Sequence, residues 1–127
     1  MDNSQSHILI IEDSKDDREM YAQFLSMKGY VSSAAANGRE GLDKAIELKP
    51  DLILMDLRLP VIDGWELVHR LKADQRTKHC AVVIVTGLSW LQPRSLECDA
   101  WFTKPCRLER LEAEVARILE TRACSRR

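Results

Sequence analysis

The chain has 127 residues, 45% of them hydrophobic and 31% charged, which suits one globular domain. Its 19 lysines and arginines against 20 aspartates and glutamates leave a formal net charge of -1, with no basic excess to favour direct nucleic-acid binding. No apolar run approaches the roughly 18 residues of a membrane span, and the opening MDNSQS lacks the basic and apolar regions of a signal peptide, so a cytoplasmic protein without membrane insertion is expected.

In chain order, the first apolar run is His7 to Ile11, HILII, which ends in Glu12-Asp13. Such a run, bounded by polar residues, fits a strand buried on both faces. Ser14, with Asp17 three residues on, resembles a capping box. Behind it Met20, Tyr21, Phe24, Leu25 and Met27 recur at helical spacing, forming an expected core face up to a stop at Gly29. Val31 to Ala36 is a second strand candidate. Asn37-Gly38 and Glu40 open a helix with an apolar face of Leu42, Ala45 and Ile46, ended by Pro50.

Asp51 then introduces Leu52, Ile53, Leu54 and Met55, four apolar residues followed by Asp56. A carboxylate in that place sits at the C-terminal end of a buried strand, where open α/β sheets put their chemistry. Taken by itself it equally well marks only the end of a strand. Pro60 forces a loop, and Asp63 with Glu66 caps a third helix whose inward stripe is Leu67, Val68 and Leu71. Trp65, at its start, reads as packing. Ala81 to Val85 (AVVIV) is the fourth strand, ending at Thr86-Gly87. Ala100 to Phe102 is a short fifth, ending at Thr103-Lys104-Pro105. The last helix turns Leu108, Leu111, Val115, Ile118 and Leu119 inward and Arg107, Arg110 and Arg117 outward.

Cys80, Cys98, Cys106 and Cys124 form no CxxC pair, and no histidine stands at zinc-finger spacing from them. They read as reduced thiols.

Strand and helix alternate five times, which implies a parallel sheet with helices on both faces. The expected architecture is a flavodoxin-like (βα)5 three-layer sandwich with strand order 2-1-3-4-5. Its switch point lies between the first and third strands, so Glu12, Asp13 and Asp56 should meet there. Three converging carboxylates repel one another unless a cation intervenes. Mg²⁺, a hard ion that takes one or two carboxylates and keeps several waters, resolves the conflict. Thr86 and Lys104, delivered by two further strand ends, suit an anion beside that ion. There is no Ser-His-Asp or Cys-His set, so the available nucleophile is a carboxylate, whose product with a phosphoryl donor is an acyl phosphate.

Glu12-Asp13, Asp56 with Pro60 and Asp63-Gly64 after it, Thr86, and Lys104-Pro105 together resemble the receiver domain of two-component response regulators. The resemblance covers residues 7–122, leaving short tails at 1–6 and 123–127. It implies that Asp56 is a phosphoacceptor supplied by a sensor histidine kinase or a histidine phosphotransfer protein. It implies that Asp13, Asp56 and the backbone carbonyl of Arg58 ligate Mg²⁺, that Glu12 acts through water, and that Lys104 contacts the phosphoryl group after a cis Lys104-Pro105 peptide. It also implies a switch in which Thr86 moves toward the phosphoryl oxygen and Trp101, where the family usually has Tyr or Phe, turns inward. Arg58 and Leu88 stand where the family tunes water's access, and they suggest slow loss of the phosphoryl group.

Only 17 residues separate Thr86 from Lys104, so the fourth helix is expected to be short or irregular and the output face unusual. Trp90 and Leu91 in that segment either meet a partner or fill the space the helix leaves. With no output module expected after residue 122, the chain should signal through a downstream protein partner or by onward phosphotransfer. It would not be an enzyme beyond its own phosphorylation and dephosphorylation. Two alternatives are a constitutive interaction module with a vestigial pocket and a Mg²⁺-dependent phosphatase. The phosphatase wants a second acid two residues after its nucleophile, and Arg58 stands there.

Overall fold

The computed structural model describes residues 6–87 and 97–125. Its elements are β1 (His7–Ile11), α1 (Lys15–Met27), β2 (Val31–Ala35), α2 (Gly38–Leu48), β3 (Leu52–Met55), α3 (Gly64–Ala73), β4 (Ala81–Thr86), β5 (Ala100–Thr103) and α4 (Leu108–Ser125). The helix expected between β4 and β5, with Leu88, Trp90 and Leu91, falls on residues 88–96 and lies outside the described residues. Among the described residues no helix is long and apolar enough to cross a membrane.

The five strands form one parallel sheet in the order β2-β1-β3-β4-β5. β1, β3 and β4 are apolar on both sides because both sides are covered. Leu9, Ile11, Ile53, Met55, Val82 and Ile84 pack with Leu42, Ala45, Leu67, Val68 and Leu71 from α2 and α3. Ile8, Ile10, Leu52, Leu54, Val83 and Val85 pack on the other side with Tyr21 and Leu25 of α1 and Leu111, Val115, Ile118 and Leu119 of α4. Strand alternation thus sends successive residues into two separate cores, and burial of this kind is worth roughly 1.5–3 kcal/mol for each large side chain.

Helix starts follow the cap residues. Ser14 Oγ accepts from the Asp17 N–H (3.3 Å), Asn37 Oδ1 from the Glu40 N–H (2.8 Å), and Asp63 Oδ1 from the Glu66 N–H (3.0 Å). Each cap satisfies an otherwise orphaned helix donor and is worth about 1 kcal/mol. The α1 core face is narrower than its spacing predicts. Tyr21 and Leu25 are buried, but Met20 is 40% and Met27 76% exposed. These two methionines stand seven residues apart on one flank of the helix, beyond the stripe that reaches the sheet.

Candidate functional site

The parallel sheet aligns the C-terminal ends of its strands at one edge, and the order places β1 beside β3 and β3 beside β4. Glu12 and Asp13 follow β1, Asp56 follows β3, Thr86 closes β4, and Lys104 follows β5. Main-chain bonds extend the ladders into this edge: Glu12 N–H donates to Ala35 O (3.0 Å), Asp56 N–H to Ile11 O (3.2 Å) and Lys104 N–H to Thr86 O (2.8 Å). Glu12, Asp56 and Thr86 are buried, Lys104 is partly buried, and Asp13 is exposed at the rim.

Lys104 ties the edge together. Its Nζ donates to Asp56 Oδ2 at 2.9 Å and to Glu12 Oε2 at 3.1 Å, and it forms an ion pair with Asp17 Oδ2 at 3.5 Å. The remaining carboxylate oxygens are held by local amides, since Arg58 N–H donates to Asp56 Oδ1 (3.1 Å) and Ser14 N–H to Glu12 Oε1 (3.1 Å). Arg18 reaches back from α1 and donates through Nη1 to the carbonyls of Glu12 (2.9 Å) and Asp13 (3.1 Å), fixing the turn after β1.

The electrostatics follow from burial and crowding. Burial raises the Glu12 carboxyl above its ordinary value, opposed by the Ser14 amide and by Lys104, while the Asp56 charge adds to the rise. Burial works against the Lys104 charge, but its bonds to Asp56 and Glu12 prevail and hold the ammonium above the usual lysine range. Tyr21, buried below the site, has its phenol pushed up to about 12, chiefly by burial.

The loop from Asp56 to α3 is set by close approach. Gly64 N–H donates to Leu57 O (2.8 Å), and a Cβ on Gly64 would run into the Leu57 backbone and lie 2.9 Å from Asp56 O. Val61, 77% exposed, has φ 73° at the centre of a three-residue turn closed by Ile62 N–H to Pro60 O (2.9 Å). That left-handed region is unfavourable for a β-branched residue.

Trp101 sits on β5 opposite Ile84, on the α3 side of the sheet, and Thr86 follows two residues after Ile84 on the same side. Its indole meets that of Trp65 with ring centroids 6.5 Å apart and planes tilted by 50°. The Lys104–Pro105 peptide is cis.

The edge therefore brings together Glu12, Asp13, Asp56, Thr86 and Lys104. Sequence reasoning missed Asp17, Arg18 and the Trp65 contact. The signal for Asp17 was available, because a helix that starts at the site's rim carries its first-turn acids there. Among the described residues no three Asp, Glu, His or Cys side chains gather closely enough to form a metal centre alone. The donor set still suits a hard dication. Three carboxylates, those of Glu12, Asp17 and Asp56, pair with one ammonium, Asp13 follows Glu12 at the exposed rim, and all these donors are oxygens.

The chain is similar to known proteins in sequence and in fold. Residues 8–116 match the family model of the response regulator receiver domain. The polar-differentiation response regulator DivK of Brucella anthropi is 34% identical over 107 residues, 81% of this chain and 87% of DivK. The DNA-binding dual master transcriptional regulator RpaA of a Synechocystis species is 35% identical over 116 residues, 88% of this chain and 48% of RpaA, so the chain spans about half of that relative's length. The receiver domain of the sensor histidine kinase PA1611 from Pseudomonas aeruginosa, a structure with magnesium in its active-site cleft, is 23% identical with a TM-score of 0.84, covering 91% of this chain and 98% of that one.

Proposed function

The chain belongs to the response regulator receiver family, and on that premise we propose that it is a phosphorylation-dependent switch whose Asp56 accepts a phosphoryl group from a phosphohistidine donor. The observation that carries this reading is the meeting of three strand ends on one ammonium, with Lys104 Nζ 2.9 Å from Asp56 and 3.1 Å from Glu12. Residues 7–122 form the receiver unit in this reading.

An Asp56 Oδ attacks phosphorus in line with the P–N bond of the donor. The P–O bond forms as the P–N bond breaks, and the imidazole leaves neutral after taking a proton. The new phosphoryl oxygens carry charge that Lys104 is placed to meet, and its ammonium stays protonated throughout the physiological range. The buried Thr86 hydroxyl ends the neighbouring strand and supplies a further donor from the same edge. Asp13, Asp56 and the Arg58 carbonyl would hold Mg²⁺, with Glu12 acting through water. When bound, the ion neutralises charge on the transferring group. Arg18 fixes the carbonyls beside this site.

The readout passes from Thr86 to Trp101 on the same face of the sheet, and from there to a downstream protein partner or onward phosphotransfer. The donor is a sensor histidine kinase or a histidine phosphotransfer protein in the cytoplasm. The chain is a signalling module and turns over only its own acyl phosphate. Incubation with Mg²⁺ and acetyl phosphate, followed by intact mass measurement, tests this. Wild type should gain one phosphoryl group and Asp56→Asn none; an unlabelled wild type, or equal labelling of the variant, overturns the reading.

A further inference from the structure

Three carboxylates surround Lys104 Nζ: Asp56 at 2.9 Å, Glu12 at 3.1 Å and Asp17 at 3.5 Å. An ammonium carries three protons and no acceptor; it donates to Asp56 and Glu12, and Asp17 holds it by charge at 3.5 Å. A phosphoryl group that engages Lys104 competes with these acids for the ammonium. The side chains of Glu12 and Asp56 are 4% and 7% exposed, whereas that of Asp17 is 40% exposed. Buried carboxylates lose heavily when an ion partner leaves, while an exposed one exchanges it for water.

Asp17 is also free of the task its position suggests. In a capping box the acid three residues into the helix returns to the N–H of the cap residue. Here the Ser14 N–H is taken by Glu12 Oε1 at 3.1 Å. The Asp17 backbone N–H is held by Ser14 Oγ, and its carboxylate is left to Lys104. The backbone is thus fixed by the cap while the side chain reaches across the rim.

We propose that Asp17 is a positioning residue that holds Lys104 beside the acceptor and yields its place to the phosphoryl group, thereby setting how readily the site takes an anionic phosphodonor. This rests on the reading of Asp56 as the phosphoacceptor. Asp17 adds negative charge where an anion must arrive and occupies the ammonium that must receive it. Its removal frees the donor and makes the rim less negative, which favours an incoming anion and disfavours a cation. These opposite signs separate the role from simple loosening of the fold, which weakens both.

The test uses the full chain as wild type, Asp17→Asn and Asp17→Glu. Labelling by acetyl phosphate at saturating Mg²⁺ is followed by intact mass, and Mg²⁺ affinity is measured separately by calorimetry without phosphodonor. Asp17→Asn should label several-fold faster, roughly fivefold for one unit charge removed near a solvated site, and should bind Mg²⁺ more weakly. Asp17→Glu should follow the wild type in both. An unchanged labelling rate in Asp17→Asn, or a fall in both labelling and Mg²⁺ affinity, overturns the inference while leaving Asp56 as acceptor. An unlabelled wild type overturns both.

Discussion

The two edges of the sheet carry similar residues put to different uses. At the N-terminal edge, Asp51 Oδ2 accepts from the His7 N–H (2.9 Å) and Asp99 Oδ2 from the Val82 N–H (2.8 Å), with Lys72 Nζ 3.9 Å from Asp99. Main-chain bonds run beside them, Asp51 N–H to His7 O at 2.9 Å and Asp99 N–H to Val82 O at 2.7 Å. Each acid there ties its own segment to a neighbouring strand. At the C-terminal edge, Glu12 and Asp56 take amides only from the loops that follow them and otherwise share one ammonium. An acid at a strand end is therefore uninformative by itself. What distinguishes the two edges is whether an acid bonds the backbone of a neighbouring strand or shares one ammonium with other acids.

Removing the shared cation gives the largest effect on stability. Lys104→Met leaves Glu12 and Asp56 buried without their common partner. Because Lys104 is 27% exposed and water replaces part of the lost contact, the loss at pH 7 should be about 2 kcal/mol, below that of a fully buried pair. The pH dependence has a definite sign. Glu12 has its folded value raised above 4.5, so the folded state holds this proton more tightly and stability drains as pH rises beyond that value. Lys104 opposes the rise, so the deficit of Lys104→Met should grow from pH 4.5 to pH 7. The Lys104 value is itself raised above 10.5, so its own contribution is fully present throughout that window and is lost only above it. Urea denaturation across this range measures the difference, and a deficit that shrinks with rising pH contradicts the assignment.

The opposite edge should behave as structure alone. Asp51→Ala orphans the His7 N–H and should lower stability by about 1 kcal/mol while leaving acetyl phosphate labelling at the wild-type rate. A changed rate would break the contrast between the edges. Smaller still is the loop beside the acceptor. Val61→Gly relieves a left-handed β-branched residue but adds freedom to the unfolded chain, so a gain of about 0.5 kcal/mol is expected. Thermal unfolding reads it, and a loss would show that the φ of 73° at Val61 carries no strain.

Strands and helix starts were legible because their causes are local. A run such as LILM has no polar side to expose, and Asn37 with Glu40 or Asp63 with Glu66 carries its cap within four residues. Strand order then placed Glu12, Asp56, Thr86 and Lys104 on one edge. What escaped depends on distant geometry. Met20 and Met27 fit the helical repeat, yet how far the sheet extends over α1 decides which positions are covered. Asp17 looks like a cap until Glu12, two residues before the cap, takes the amide first. The Trp65–Trp101 contact joins positions 36 apart through the register of β4 and β5, which no spacing reveals.

The central claim is that the charge left at the C-terminal edge is reactive at Asp56. Borohydride reduction after treatment with Mg²⁺ and acetyl phosphate, followed by peptide mass mapping, tests it directly, since an aspartyl phosphate is reduced to homoserine. Homoserine at position 56 and at no other aspartate is the expected result. Homoserine at 13, 51 or 99, or at none of the aspartates, would contradict the account.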